Sequence, residues 1–112
     1  MRRGEVYNAR LDPTVGSEQS GIRPVVIVSR NAINDHSPVV LAVPGTTYRG
    51  QRIFPSQVLV RAGEGGLIAD TVVMAEQVRA VDKTRLLGAR GILSDLVMRQ
   101  VDIALMIALD LS

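Results

Sequence analysis

The sequence predicts a mainly β fold with one C-terminal helix, wrapped into a small, strongly twisted barrel. Three observations carry this. Short β-branched and apolar runs recur between proline- and glycine-bearing breaks, which reads as five or six short strands. No helical pattern separates those runs, so the crossover helices of a parallel βαβ sheet are missing. Only the last stretch, after Ser94, carries apolar residues at helical spacing. With 112 residues, 46% of them hydrophobic, residues 1–112 suffice for one compact domain.

Taken in order, Gly4 to Leu11 alternates as a strand with Val6, Ala9 and Leu11 turned inward. Asp12-Pro13 and Gly16 break it and open a polar loop that runs to Arg23. Pro24 is tolerated at the first position of a strand, so Val25 to Ser29 follows as a short, apolar, central one. Arg30 to Ser37 is a helical turn or a polar loop. Val39 to Val43 is a second buried strand, stopped by Pro44-Gly45-Thr46-Thr47. An arginine-bearing loop from Tyr48 to Pro55 leads to a strand at Gln57–Arg61, and Gly63 to Gly66 turns the chain. Thr71 to Val81 reads as one further strand, Asp82 to Thr84 as a short turn and Leu86 to Leu93 as a brief last strand. Ser94 is an N-cap with Asp95 at the positive helix end. Beyond it Leu96, Val97, Val101, Ala104, Leu105, Ala108 and Leu109 fall on one face. Met98, Ile103, Met106 and Ile107 make a second side apolar too, which predicts self-association through this helix.

Composition removes whole classes of chemistry. Without cysteine there is no disulfide framework, thiolate metal site or thiol nucleophile. His36 is the single histidine, so neither a histidine metal cluster nor a histidine-based triad is expected, and no cofactor is called for. The glycines at 63–66 fit neither a Walker loop nor a dinucleotide fingerprint. With Tyr7, Tyr48 and Phe54 as the only aromatics, an extended base-stacking platform is not expected either. No apolar leader or membrane-length run is present, which predicts a soluble, cytoplasmic protein.

Charge is distributed unevenly. Residues 1–61 hold eight arginines against four acids, +4, whereas residues 62–112 hold five basic and seven acidic side chains, −2. Guanidinium matches phosphate bidentately, so the N-terminal half suits an anionic partner. The loop Asp12 to Arg23 adds hydroxyls, an amide and a carboxylate. That inventory suits cleavage of RNA by its own 2′-OH. The substrate brings the nucleophile, and the protein supplies donors to the phosphate and groups that move two protons.

The residues also carry a resemblance. Gly4-Glu5-Val6-Tyr7, Asp12-Pro13-Thr14, Gly16 to Gly21 and Arg23-Pro24 resemble the MazF/PemK (Kid) family of toxin endoribonucleases. Val43 to Thr47, Asp70 to Val73, Glu76 to Arg79, Val81-Asp82-Lys83 and Val101-Asp102 with Ala104-Leu105 do so as well, in family order. The resemblance implies an SH3-like barrel, a homodimer and a metal-independent mRNA interferase. Such an enzyme cuts single-stranded RNA at short sequences and leaves 2′,3′-cyclic phosphate and 5′-hydroxyl ends. A cognate antitoxin is implied as partner, with operator DNA as a further ligand of the toxin–antitoxin complex.

Matched residue by residue, Arg23 and Thr46 are the catalytic pair and Gln77 is a base-contacting amide. Ser17, Glu18 and Gln19 form the RNA-contacting loop, and Thr47, Arg49 and Arg52 extend the RNA-binding set. A guanidinium keeps its proton at neutral pH and is a poor base, so Arg23 is expected to clamp the phosphate and Glu18 to be the better-suited base. The plainer roles are a loop-anchoring salt bridge from Arg23 to Asp12 or Glu18, and a backbone-satisfying hydroxyl for Thr46. Gly45 departs from the family, which usually has a larger residue there. The alternative function is a CcdB-like gyrase poison of the same fold. That class ends in Trp-Gly-Ile, whereas this chain has no tryptophan and ends Asp110-Leu111-Ser112.

Overall fold

A computed structural model describes residues 1–111. Its strands are β1 (Glu5–Arg10), β2 (Ile22–Ile27), β3 (Val39–Thr47), β4 (Gln57–Val60), β5 (Thr71–Met74), β6 (Arg79–Asp82) and β7 (Leu86–Ile92). Two α-helices, α1 (Asn31–His36) and α2 (Asp95–Ala108), and 3-10 turns at Glu64–Gly66, Ala75–Gln77 and Lys83–Arg85 complete the fold. The sheet runs β4-β5-β3-β2-β1-β7, with β6 also paired to β3, and every pairing is antiparallel. Among the described residues no ladder joins β4 to β7, so the sheet curls in a barrel-like way without closing.

β3 is the spine. One edge pairs with β2 from Val25↔Pro44 to Ile27↔Ala42. The other pairs with β6 over Val39–Ala42 and with β5 over Gly45–Thr47. The expected stop at Pro44 is therefore wrong: β3 runs straight through it. The reason lies in the ladder. Val28 N–H donates to the Leu41 carbonyl, so odd-numbered residues of β3 direct their backbone groups at β2 and even-numbered ones at the β5–β6 edge. Pro44 thus lacks a donor only where the turn Ala75–Gln77 already interrupts that edge. The same turn splits the single strand expected over Thr71–Val81 into β5 and β6, which brings the strand count to seven. β2 begins at Ile22, so Arg23 stands within a strand rather than at a loop exit.

Both faces of the sheet are covered. Val6, Val26, Val43, Val58, Val60, Val73 and Leu93 pack with Met98, Val101 and Ala104 of α2. Ala9, Leu11, Val25, Ile27, Val40, Ala42 and Val81 form a second cluster. Full burial of one such aliphatic side chain contributes about 1.5–3 kcal/mol, so these clusters dominate the favourable side of folding. Gly65 is obligatory between β1 and β7. Its φ is +59°, and a Cβ there would lie 2.7 Å from Leu93 Cδ2 and 2.8 Å from Val6 Cγ2.

α2 is capped as the sequence predicts, with Ser94 Oγ accepting from Val97 N–H at 3.3 Å. The face it buries is centred differently, on Met98, Val101 and Ala104. Leu96 and Leu109, expected inside, are 62% and 53% exposed. Two apolar sides were legible; packing against the strand cluster decides which one turns inward. Ile103, Met106 and Ile107 stay outside with Leu96. No helix among the described residues is long and apolar enough to cross a membrane.

Four carboxylates fasten the turns, and each is held below the usual carboxylate range. Asp35 is held by the Arg2 guanidinium and Glu64 by the Ser94 N–H. The Ala62 N–H and then Arg61 hold Asp70, and the Thr84 N–H holds Asp82. A folded-state pKa below the unfolded one gives stability that is present above about pH 4 and lost as pH falls through the folded values. The urea midpoint should therefore be level from neutral pH to about 5 and decline below about 4. An unchanged midpoint at pH 3 would show these clasps to be energetically idle.

Candidate active site

The two prolines that shape β2 and β3 also shape the site. Pro24 is opposite Gly45 if the register is continued, and by the alternation above its missing N–H points at β3, so the β2–β3 ladder ends at Val25↔Pro44. Arg23 on β2 and Thr46 on β3 lie two residues beyond that last pair. The expected catalytic pair thus stands on neighbouring strands just past the end of that ladder. Arg23 makes no salt bridge to Asp12 or Glu18; the salt bridges among the described residues are Arg2–Asp35, Arg3–Asp102 and Arg61–Asp70. Its Nε donates instead to the Ser20 carbonyl at 3.0 Å, and its terminal nitrogens have no partner within the described chain. A guanidinium with one nitrogen tied and two free is suited to grip a phosphate.

The loop between β1 and β2 is folded on itself and fastened at its foot. Asp12 Oδ1 accepts from Gly21 N–H at 3.0 Å, and Leu11 N–H donates to the Gly21 carbonyl at 2.9 Å. Arg79 donates to the Leu11 carbonyl at 3.2 Å and Arg85 to the Asp12 carbonyl. The tip is tied to the turn after β5, where Gln19 N–H donates to Gln77 Oε1 at 2.9 Å.

Two concavities flank the C-terminal half of β3. The larger, about 460 Å³, is lined by Glu18, Gln19 and Gln77 with Leu11, Pro44, Glu76 and Arg79. A smaller one of about 230 Å³ holds Arg23 and Thr47 with Pro24, Gly45, Thr71 and Arg90. Glu18, Gln19 and Gln77 are therefore brought together, as are Arg23 and Thr47, and β3 separates the two groups. Thr46 stands on the strand between them and lines neither. Ser17 is exposed on the loop, and Arg49 and Arg52 lie on the loop after β3, outside both concavities. Arg52 stacks over the Phe54 ring, 5.1 Å from its centroid.

Sequence reasoning assigned no role to Glu76, Arg79 and Arg90. Glu76 accepts from Ser56 Oγ at 3.2 Å and from Gln57 Nε2 at 2.6 Å, bracing the turn that carries Gln77. Arg90 donates to Asn8 Oδ1 and to the Gly66 carbonyl. The signal for all three was a charged residue inside or beside an apolar run, which marks a partner without naming it. Gly45 also gains an explanation: its Cα faces Thr71, and a Cβ would sit 2.6 Å from Thr71 Cγ2. The departure is matched by a β-branched neighbour on β5.

Fold and site together define a small, mainly β protein that offers a free guanidinium and hydroxyls beside a fastened polar loop. The chain belongs to the family of PemK-like, MazF-like toxins of type II toxin-antitoxin systems, whose model matches residues 2–109. It is 41% identical over 111 residues to the endoribonuclease MazF of Staphylococcus saprophyticus, covering 99% of this chain and 92% of that protein. Among solved structures, it resembles a mycobacterial endoribonuclease in complex with its cognate antitoxin, at 30% identity and a TM-score of 0.83, over 100% of this chain and 97% of that one. MazF from Deinococcus radiodurans matches at 25% identity with a TM-score of 0.83, over 98% and 96% of the chains.

Gly45→Ala should destabilise the protein by about 1–3 kcal/mol through the Thr71 methyl, and Thr71→Ser should relieve most of that loss. Denaturant melts of the two single variants and the double variant measure the coupling. Equal losses from Gly45→Ala in both backgrounds would mean that Thr71 is not what excludes the side chain.

Proposed function

We propose that this chain cuts single-stranded RNA, mRNA above all, by in-line attack of the RNA's own 2′-oxygen on the adjacent phosphorus. It is a MazF-like type II toxin endoribonuclease, and a CcdB-like gyrase poison is not the favoured reading. In the proposed reaction the 2′-O–P bond forms as the P–5′-O bond breaks. The products are a 2′,3′-cyclic phosphate and a 5′-hydroxyl. The observation that carries the mechanism is the position of Arg23 and Thr46 beyond the last β2–β3 pair, with the terminal nitrogens of Arg23 unpaired.

In this reading Arg23 binds the scissile phosphate and neutralises charge as it builds on the non-bridging oxygens. A guanidinium that is protonated at neutral pH serves as clamp, and as donor of a proton to the leaving 5′-oxygen, better than as base. Thr46 orients the phosphate or the attacking hydroxyl. Glu18, on the loop whose Ser20 carbonyl holds Arg23, takes the 2′-OH proton once RNA is bound. Ser17, Gln19, Thr47, Arg49 and Arg52 contact flanking nucleotides. The arginines of the β3–β4 loop do so through phosphate, and Arg52 with Phe54 offers a cation-backed ring to a base.

The uncovered side of α2 supports a homodimer, since Leu96, Ile103, Met106 and Ile107 are all exposed on a helix already packed on its other side. A cognate antitoxin is the proposed regulator. Complexes of relatives with their antitoxins support it, and the joint complex is the form that would bind operator DNA. The proposed place of action is the cytoplasm, where mRNA is.

Purified protein should cleave single-stranded RNA in EDTA and leave cyclic-phosphate ends, and Arg23→Ala should slow cleavage at least about 100-fold. Cleavage by Arg23→Ala at the wild-type rate would remove the assigned mechanism. The wild type should sediment as a dimer, with Ile107→Asp or Met106→Asp shifting it toward monomer. A wild-type monomer with full activity would sink the dimer.

A further inference from the structure

We propose that Gln77 is a positioning residue: through the loop, it aims the Arg23 guanidinium. The inference rests on the reading of Arg23 as phosphate clamp and assigns Gln77 a job different from base contact. Gln77 lies in the turn Ala75–Gln77 that interrupts the β5–β6 edge of β3, half-buried and beside Pro44. Its Oε1 accepts from Gln19 N–H at 2.9 Å. The next residue, Ser20, accepts from Arg23 Nε at 3.0 Å through its carbonyl. Gln77, the Gln19–Ser20 peptide segment and Arg23 therefore form one continuous relay from a braced turn to a guanidinium.

Among the described residues no other hydrogen bond ties the loop tip to the turn after β5. The other bond to the tip, Glu18 N–H to the Val15 carbonyl, stays inside the loop. Asp12, Arg79 and Arg85 hold only the foot. Gln77 itself is firmly seated, because Glu76 beside it is gripped by Ser56 and Gln57 of the β4 entry. The orientation of its amide is set as well: Oε1 takes the Gln19 N–H, and Nε2 meets only the Met74 sulfur, at 3.8 Å. The oxygen is committed to the loop, so the carbonyl and not the NH2 is the working end. Without it, Gln19 N–H loses its acceptor, the Ser20 carbonyl loses its anchor, and Arg23 Nε loses its reference point. A misplacement of about 1 Å at a phosphate clamp is enough to cost catalysis heavily.

The two ends of the amide can be separated by substitution. Gln77→Ala removes both, whereas Gln77→Glu keeps an acceptor oxygen and discards the NH2 donor. The first measurement needs no RNA: hydrogen exchange of the Gln19 amide and of Arg23 Nε–H by nitrogen-15 NMR. Gln77→Ala should exchange at least about tenfold faster at both sites, and Gln77→Glu should stay close to wild type. The second is cleavage kinetics on single-stranded RNA. Gln77→Ala should lower kcat about tenfold with KM changed less than about threefold. Gln77→Glu should keep kcat and show its extra charge in KM alone. Unchanged exchange at Arg23 Nε–H in Gln77→Ala overturns the proposal, and so does a rise in KM with kcat intact. If instead Arg23→Ala cuts like wild type, the clamp reading has failed, and the exchange data still decide whether Gln77 holds the guanidinium.

Discussion

Two missing backbone N–H groups organise this molecule. β3 is hydrogen-bonded along both edges, and such a strand would ordinarily be sealed against ligands. Pro24 cannot donate to β3, and Pro44 cannot donate to the β5–β6 edge. The first ends the β2–β3 ladder, and the second lies where the turn Ala75–Gln77 replaces a strand. Arg23 and Thr46 stand on either side of the first gap and Gln77 at the second. The open backbone is confined to places where a proline had no bond to lose, so the site is opened without leaving a buried donor unpaired.

Charge follows the same division between scaffold and site. Of the eight arginines in the first half, Arg2, Arg3 and Arg61 pair with carboxylates at Asp35, Asp102 and Asp70. In the second half Arg79, Arg85 and Arg90 are turned toward backbone carbonyls, where they brace the loop foot and the turn at Gly66. Arg10, Arg23, Arg30, Arg49 and Arg52 keep terminal nitrogens free of partners within the described chain. Exposed ion pairs of this kind contribute little to stability, so their role is to fix turns. Three of these unpaired guanidiniums, Arg23, Arg49 and Arg52, lie on β2 and the loop after β3, whereas Arg10 ends β1 and Arg30 precedes α1.

The loop from Asp12 to Gly21 joins these two themes. Its foot is bolted by Asp12, Arg79 and Arg85, whereas its tip has one bond to another element and reaches Arg23 through a second. A segment held this way opens locally at far less cost than the strands it connects, because few buried apolar contacts are lost. Loop, turn and guanidinium therefore form one hydrogen-bonded unit assembled from residues that lie far apart in the chain.

Much of this was legible from residues alone. Strand-forming runs, breaks at Asp12-Pro13 and Gly63, the Ser94 cap and the mainly β class follow from local propensity and spacing, which act over a few residues and need no tertiary partner. The choice of Arg23, Thr46 and Gln77 came from motif resemblance, because spacing in a sequence cannot say that positions 23 and 46 leave the same ladder. Tertiary pairing decided the rest. It carried β3 through Pro44, split Thr71–Val81 at the turn that faces that proline, and turned Met98 rather than Leu96 into the core. Gly45 shows the limit most plainly: its lack of a side chain could be read from the sequence, but the reason is the Thr71 methyl on the next strand. Local sequence determined which backbone each segment prefers, and only long-range packing decided which exceptions it tolerates, because a missing donor or side chain is costly or free according to what stands opposite.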